Sequence, residues 1–320
     1  MKILVTGAGG FIGSALCKEL SSQGMQVTAL LRKWRDLGVG IQVVCGDLAD
    51  SALVEEALKG IDVVVHLAGR AHQMKEVVSD PLLAFREVNR DLTIALAELS
   101  MKAGVKRFVF MSSIGVNGAD TTAEPITEMS EANPVRQYAV SKFEAEQALS
   151  SLLKGKMEFV IIRPPLVYAA NAPGNFKRLL RLVKLGVPLP FGKVAARRSM
   201  ISLANLVSFI KVAMVHPNAA DQLFLVSDGV DVSLPEVLES LALGMQRKLV
   251  LVPIPLGFLR FGSILLRKKM LYTQLCGYFL IDSSKAQTLL GWKAPFDVRS
   301  ELSLAAKEFM IAGESGNVLY

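Results

Sequence analysis

Histidine and cysteine are both scarce in this chain of 320 residues, with three of each. His66, His72 and His216 are far apart and none falls in a His-Glu-x-x-His pattern, which argues against a zinc hydrolase. Cys17, Cys45 and Cys276 are odd in number and set among apolar residues, so neither a disulfide framework nor a metal cluster is suggested. All three are expected to be small core residues, and no metal site is expected. Aromatic residues amount to 7% and the basic residues are spread along the chain, a poor platform for nucleic acid. No stretch approaches the roughly 20 uninterrupted apolar residues of a spanning helix. The longest candidate, Leu251 to Leu259, contains Pro253 and Pro255 and meets Arg260. The start, Met1-Lys2-Ile3-Leu4-Val5-Thr6-Gly7, reads as a strand entering a glycine turn rather than a cleavable signal. A cytoplasmic protein is expected, with the inner face of the membrane as the alternative.

What the chain does hold is a large apolar content, 51% against 20% charged residues, which excludes a disordered chain. Its mean hydropathy of +0.39 is high for an ordinary soluble enzyme. A net charge of +7 and a pI near 9.3 suit an anionic partner such as a nucleotide or a phospholipid surface.

Short apolar strands alternate with amphipathic helices through the first half, the pattern of a doubly wound parallel α/β sheet. Strands are expected at Lys2–Thr6, Gln26–Leu31, Ile41–Cys45, Asp62–His66, Lys106–Ser112 and Glu158–Arg163. Helices are expected at Phe11–Gln23, from Asp50 or Ser51 to Leu58, at Pro81–Ala103 and at Gln137–Leu153. After Pro164-Pro165, frequent proline and glycine break the chain into short pieces. One helix and strand, Leu203–Val215 and Leu223–Val226, are expected to return to the sheet. The reading is a Rossmann domain from 1–165 and 198–226, with a smaller, mixed, mostly helical substrate lobe from 166–197 and 227–320.

The first strand ends in Thr6-Gly7-Ala8-Gly9-Gly10-Phe11-Ile12-Gly13, glycines three apart where a strand gives way to a helix. A diphosphate there would meet the amides that open the helix and its positive dipole end. Asp47 and Leu48 end the third strand and Leu67, Ala68 and Gly69 follow the fourth, both at the edge where open α/β sheets bind ligands. The second strand closes on Leu30-Leu31-Arg32-Lys33, with no carboxylate until Asp36. A cation there favours the additional phosphate of NADP(H), and NAD(H) stays as the alternative.

Tyr138-Ala139-Val140-Ser141-Lys142 brings a phenol and an ammonium onto one helix face, with Ser113 ending the preceding strand. The ammonium is expected to stabilise a phenolate, giving an acid or base near neutrality, while the serine hydroxyl holds the oxygen that gains or loses the proton.

Together with Asn89, Ser112-Ser113 and Arg163-Pro164-Pro165-Leu166-Val167-Tyr168, these motifs resemble the extended short-chain dehydrogenases over nearly the whole chain. The sequence is most similar there to nucleotide-sugar 4-epimerases and 4-keto-sugar reductases of bacterial surface-polysaccharide pathways, lipopolysaccharide O-antigen synthesis among them. The resemblance implies a catalytic set of Ser113, Tyr138 and Lys142, with Asn89 supporting the lysine through water. It places Pro164 and Val167 beside the nicotinamide, Ser112 and Ser113 at the substrate, and Asn175 and Arg198 on a nucleotide diphosphate. Asp282 is implied as a helix cap. The chain departs from the family's habit in Tyr138-Ala139, Val116-Asn117-Gly118 and Tyr168-Ala169-Ala170.

Three functions stay in play. The first is NADPH-driven reduction at C4 of a nucleotide-linked, N-acetylated 4-keto-6-deoxy hexose. The second is an NAD-dependent 4-epimerase of a UDP-N-acetylhexosamine or a lipid-linked sugar, and the third is a dinucleotide sensor or scaffold without catalysis. A nucleotide sugar is the expected partner. A homodimer through the helices Pro81–Ala103 and Gln137–Leu153, and contact with an anionic membrane through Lys177, Arg178, Arg181 and Lys184 or Arg267-Lys268-Lys269, are further expectations.

Overall fold

The computed structural model describes residues 1–71, 80–118 and 124–314. Its strands are β1 (Lys2–Thr6), β2 (Gln26–Leu31), β3 (Ile41–Cys45), β4 (Val63–His66), β5 (Arg107–Met111), β6 (Glu158–Arg163), β7 (Leu166–Tyr168), β8 (Arg197–Arg198), β9 (Met200–Ser202), β10 (Gln222–Leu225) and β11 (Val232–Ser233). Seven of them form a sheet in the order β10-β6-β5-β4-β1-β2-β3. Every pairing in that sheet is parallel, with Val5 opposite Ala29 on one side and Val65 on the other. The strand order reverses between β1 and β4, the place where such sheets open a crevice for dinucleotides.

The helices are α1 (Phe11–Ser22), α2 (Ser51–Ala57), α3 (Pro81–Arg86), α4 (Leu92–Lys102), α5 (Gln137–Leu153), α6 (Asn175–Lys184), α7 (Leu203–Val215), α8 (Leu234–Gly244), α9 (Leu256–Leu265), α10 (Lys269–Cys276), α11 (Ser284–Leu290) and α12 (Val298–Glu314). Alternate strand residues feed two apolar layers, as the period of two requires. Ile3, Val5, Ala29, Val65, Val109 and Ile162 face α1, α7 and α11 through Leu16, Leu20, Phe209, Ile210 and Leu290. Leu4, Leu30, Val64, Phe108, Phe110 and Ile161 face α2, α4 and α5 through Val54, Leu96, Ala145 and Leu149. A third cluster, with Phe176, Leu180, Leu238, Leu241 and Leu302, packs α6, α8 and α12 around Tyr168, so the helices beyond β6 have an apolar centre of their own.

Two expectations are corrected here. The helix from Pro81 is interrupted: a π turn over Glu87–Asp91 separates α3 from α4. Cys17 and Cys276 are buried but Cys45 is exposed, because β3 is the edge strand and its last residue points outward. Asp282 does act at a helix start, accepting from Ser284 N at 2.8 Å, although it sits one residue before the cap position held by Ser283. No helix among the described residues is long and apolar enough to cross a membrane.

Candidate active site

Because the sheet is parallel, the ends of β1, β2, β4 and β5 converge on one edge, where the glycine turn, Ser113 and the start of α5 lie. Gly7 lies in the left-handed region at φ +67°, and a side chain on it would come within 2.6 Å of Ala68 N. At Gly13 a Cβ would stand 2.3 Å from the Gly7 carbonyl, so only glycine lets α1 start so close behind the strand. Gly10 caps α1 without any side chain, leaving the amides of the first turn, from Phe11 onward, for an anion. Ile12 packs inward against the sheet while Phe11 leans onto the apolar cluster around Tyr168. Leu48 packs against the α2 side of the sheet, and Asp47 folds its carboxylate onto Ala49 N at 2.9 Å.

Past β2, Arg32 and Lys33 are exposed with no carboxylate beside them. Asp36 is occupied in a local turn with Gly38 N. Arg35 reaches back and donates from Nη1 to the Gly9 carbonyl at 3.1 Å, tying this cationic segment to the glycine turn. Sequence reading passed over Arg35, for which only its place in the run of three cations gave a signal.

Buried hydrogen bonds brace the loop after β4. Thr93 Oγ1 donates to Asn89 O at 2.8 Å, so it accepts from His66 Nε2 at 2.9 Å. His66 Nδ1 then accepts from Thr6 Oγ1 at 2.6 Å, and that oxygen takes Ala68 N at 3.4 Å. Burial drives the His66 imidazole down to about 3, so the ring is neutral and one tautomer suffices. Asn89, carried on the π turn, clasps Arg70 at both ends, accepting from its N at 2.8 Å and donating to its O at 3.1 Å. It also donates to Ser141 Oγ at 3.0 Å, joining the loop to the helix that carries Tyr138 and Lys142. A π turn at such a point fits the general association of these bulges with functional sites.

Tyr138 is half-buried at the start of α5, its ring edge-on to Phe85 at 6.2 Å between centroids. Burial pushes its phenol up to about 12, opposed by the nearby Ser113 side chain. Lys142 is buried, donates to the Met111 carbonyl at 3.0 Å and lies 4.5 Å over the Phe110 ring. Burial lowers it to about 8, opposed by the Glu146 carboxylate. A Cβ on Gly69 would meet both Lys142 Nζ, at 3.2 Å, and Asn89 Oδ1, at 3.1 Å. In this arrangement the Lys142 ammonium rests on a backbone carbonyl, and desolvation is the leading influence on the phenol.

The expectation for Ser112 is corrected. It is buried behind the strand end and donates to Glu146, which forms a buried ion pair with Arg163. Arg163 in turn donates to Asn117 Oδ1 at 2.9 Å. The Pro164 carbonyl accepts from Ile114 N at 3.1 Å and holds the Ser113 loop beside β6, while Val167 packs on the sheet. Asn175 donates to Gln274 Oε1 at 2.9 Å and Arg198 donates to the Gly277 carbonyl at 2.8 Å, so both meet the end of α10.

A model of the NAD dependent epimerase/dehydratase family matches residues 3–226. The chain belongs to that family. It is an NAD(P)-dependent enzyme of oxidoreductase or epimerase type. It is 38% identical to a UDP-glucose 4-epimerase of Vibrio cholerae over 97% of this chain and 96% of that one. An N-acetyl-alpha-D-glucosaminyl-diphospho-ditrans,octacis-undecaprenol 4-epimerase of Escherichia coli O157:H7 is 27% identical over 80% of this chain and 77% of its own. Among solved structures, the UDP-glucuronic acid 4-epimerase of Bacillus cereus in complex with NAD superposes with a TM-score of 0.78, at 21% identity, over 100% of this chain and 99% of that one. The glycine turn and uncapped helix fit the dinucleotide that the family name implies, since a larger residue at Gly7 or Gly13 would push apart the backbone segments that form the turn.

Proposed function

We propose that this enzyme reduces the C4 carbonyl of an N-acetylated 4-keto-6-deoxy hexose carried on a nucleotide, with NADPH as the reductant, in the making of a surface polysaccharide. The cationic end of β2 carries the reading: Arg32, Lys33 and Arg35 stand where an acid would otherwise hold the ribose hydroxyls of NAD, and Arg35 is anchored to the glycine turn. The protonation of Tyr138 supports it too, because a phenol pushed up to about 12 starts the reaction as an acid.

The reduced dinucleotide supplies a hydride when bound. Tyr138 gives its phenolic proton to the carbonyl oxygen, which Ser113 holds by a hydrogen bond, and the product is the alcohol at C4. Lys142 orients the dinucleotide beside Gly69. Leu67, Ala68, Pro164 and Val167 line the dinucleotide's path, and Asn175 and Arg198 hold the substrate diphosphate. In this scheme 1–165 with 198–226 carries the cofactor and 166–197 with 227–320 the sugar nucleotide, while α4 and α5 form the contact of a homodimer.

A 4-epimerase is the second reading, favoured by the Vibrio cholerae relative that is aligned over almost all of both chains. There Tyr138 would remove a proton at the start. A sensor without catalysis is disfavoured by the presence of Ser113, Tyr138 and Lys142 together.

Separate titrations of NADPH and NADH decide between them. The expected result is tighter NADPH binding that Arg32→Ala or Arg35→Ala weakens by about tenfold or more, with NADH little changed. Stoichiometric NAD retained through purification overturns the reductase in favour of the epimerase.

A further inference from the structure

Helix α9 departs from the rule that the other helices follow. It contains no buried residue, whereas α6, α7 and α8 each bury an apolar face. Phe258 is 71% exposed, Phe261 68% and Leu265 74%, and these three stand at i, i+3 and i+7 on one face. Ile264 and Leu266 extend the patch. Only Leu259 is packed against the apolar cluster around Tyr168. A contiguous exposed patch of this kind marks a contact surface.

Its border is cationic. Arg260, Arg267 and Lys268 are all exposed, and no acidic residue lies between Leu249 and Gly277. Arg267 occupies the left-handed position after the helix at φ +53°, where glycine is usual, so an arginine is kept at the rim despite the backbone conformation. The bonds of Arg267 N to Ile264 O and Lys268 N to Ser263 O close the helix and fold that rim back beside its last turn.

We infer that α9 seats this protein on an anionic phospholipid bilayer, with Phe258, Phe261 and Leu265 entering the interface and Arg260, Arg267 and Lys268 meeting the headgroup phosphates. Apolar side chains flanked by cations, on a helix of ten residues with no acid, match a lipid surface in both respects. The helix runs on into α10, whose end receives Asn175 and Arg198, so seating α9 would hold the substrate lobe at the membrane. The inference rests on α9 and not on which sugar reaction the enzyme performs.

Sedimentation of the full chain with vesicles tests it. At low salt the protein is expected to pellet with phosphatidylcholine vesicles containing phosphatidylglycerol, and to be released as salt rises. Phe258→Ser with Phe261→Ser should abolish pelleting, and each of Arg260→Gln, Arg267→Gln and Lys268→Gln should weaken it by about fivefold. Dinucleotide affinity in all these variants is expected to be unchanged, which shows that they fold and separates this test from that of the reductase. Failure of the unaltered protein to pellet at low salt overturns the inference. So does light scattering that finds a dimer converted to a monomer by Phe258→Ser, since a second copy would then cover α9.

Discussion

Lys142 and Glu146 lie one turn apart on the buried face of α5, the ammonium on the Met111 carbonyl and the carboxylate on Arg163. The carboxylate is the charge that opposes the desolvation of the lysine. Glu146→Gln should therefore do two things. It leaves Arg163 buried without a counter-charge, lowering stability by about 3 kcal/mol in urea denaturation. It also moves the loss of the Lys142 proton to lower pH, which a pH profile of dinucleotide affinity would register.

In the unaltered protein that profile has a definite shape. Burial brings Lys142 down to about 8, so dinucleotide affinity is expected to fall as pH rises through about 8. Lys142→Met should bind more weakly and show no such step. The stability consequence has the opposite sense. Between about 8 and 10.5 the unfolded chain holds this proton and the folded one does not, so Lys142 makes the fold more stable as pH rises across that window. Lys142→Met should flatten that part of the curve of melting temperature against pH.

Tyr138→Phe keeps the ring that packs on Phe85 and removes the hydroxyl beside Ser113. Turnover is expected to fall by roughly 10²–10⁴-fold while dinucleotide affinity, read by fluorescence titration, stays within about twofold. Ser113→Ala should lower turnover less, and should lower the melting temperature slightly, because the Ser113 hydroxyl also accepts from Gly115 N at 3.1 Å.

Gly13→Ala would drive a methyl into the Gly7 carbonyl, a backbone atom that cannot step aside. A loss of about 1–3 kcal/mol in stability is expected, together with a loss of dinucleotide binding that exceeds it. Gly24→Ala, where nothing lies within 4 Å, provides the comparison, since its cost is only that of the left-handed φ of +74°.

Most of this architecture was legible because it is local. Alternating apolar strands, the glycine turn and the α5 face carrying Tyr138 and Lys142 are written in periods of two, three and four residues, and β6 and α5 fall on Glu158–Arg163 and Gln137–Leu153 as expected. What escaped was the material joined across the sheet. Thr6, His66 and Thr93 meet only once β1, β4 and α4 are packed, and nothing in the run Val63–His66 distinguishes a bridging imidazole from a buried one. The π turn is invisible for a related reason, since Pro81 to Ala103 contains no residue that breaks a helix. Ser112 was misassigned because its neighbour Ser113 shares its motif, whereas past the end of β5 the two hydroxyls take different partners, Glu146 for Ser112 and Gly115 N for Ser113.

The place of β10 bears on synthesis of the chain. Among the described residues it pairs only with β6, and it follows β6 by some sixty residues, so until Gln222–Leu225 arrives Glu158-Phe159-Val160-Ile161-Ile162-Arg163 is an open strand edge. Residues 1–165 contain Ser113, Tyr138 and Lys142, yet a fragment ending there exposes a flat apolar edge of the kind that recruits other chains. The proposed catalytic trio is synthesised long before the strand that completes the sheet around it.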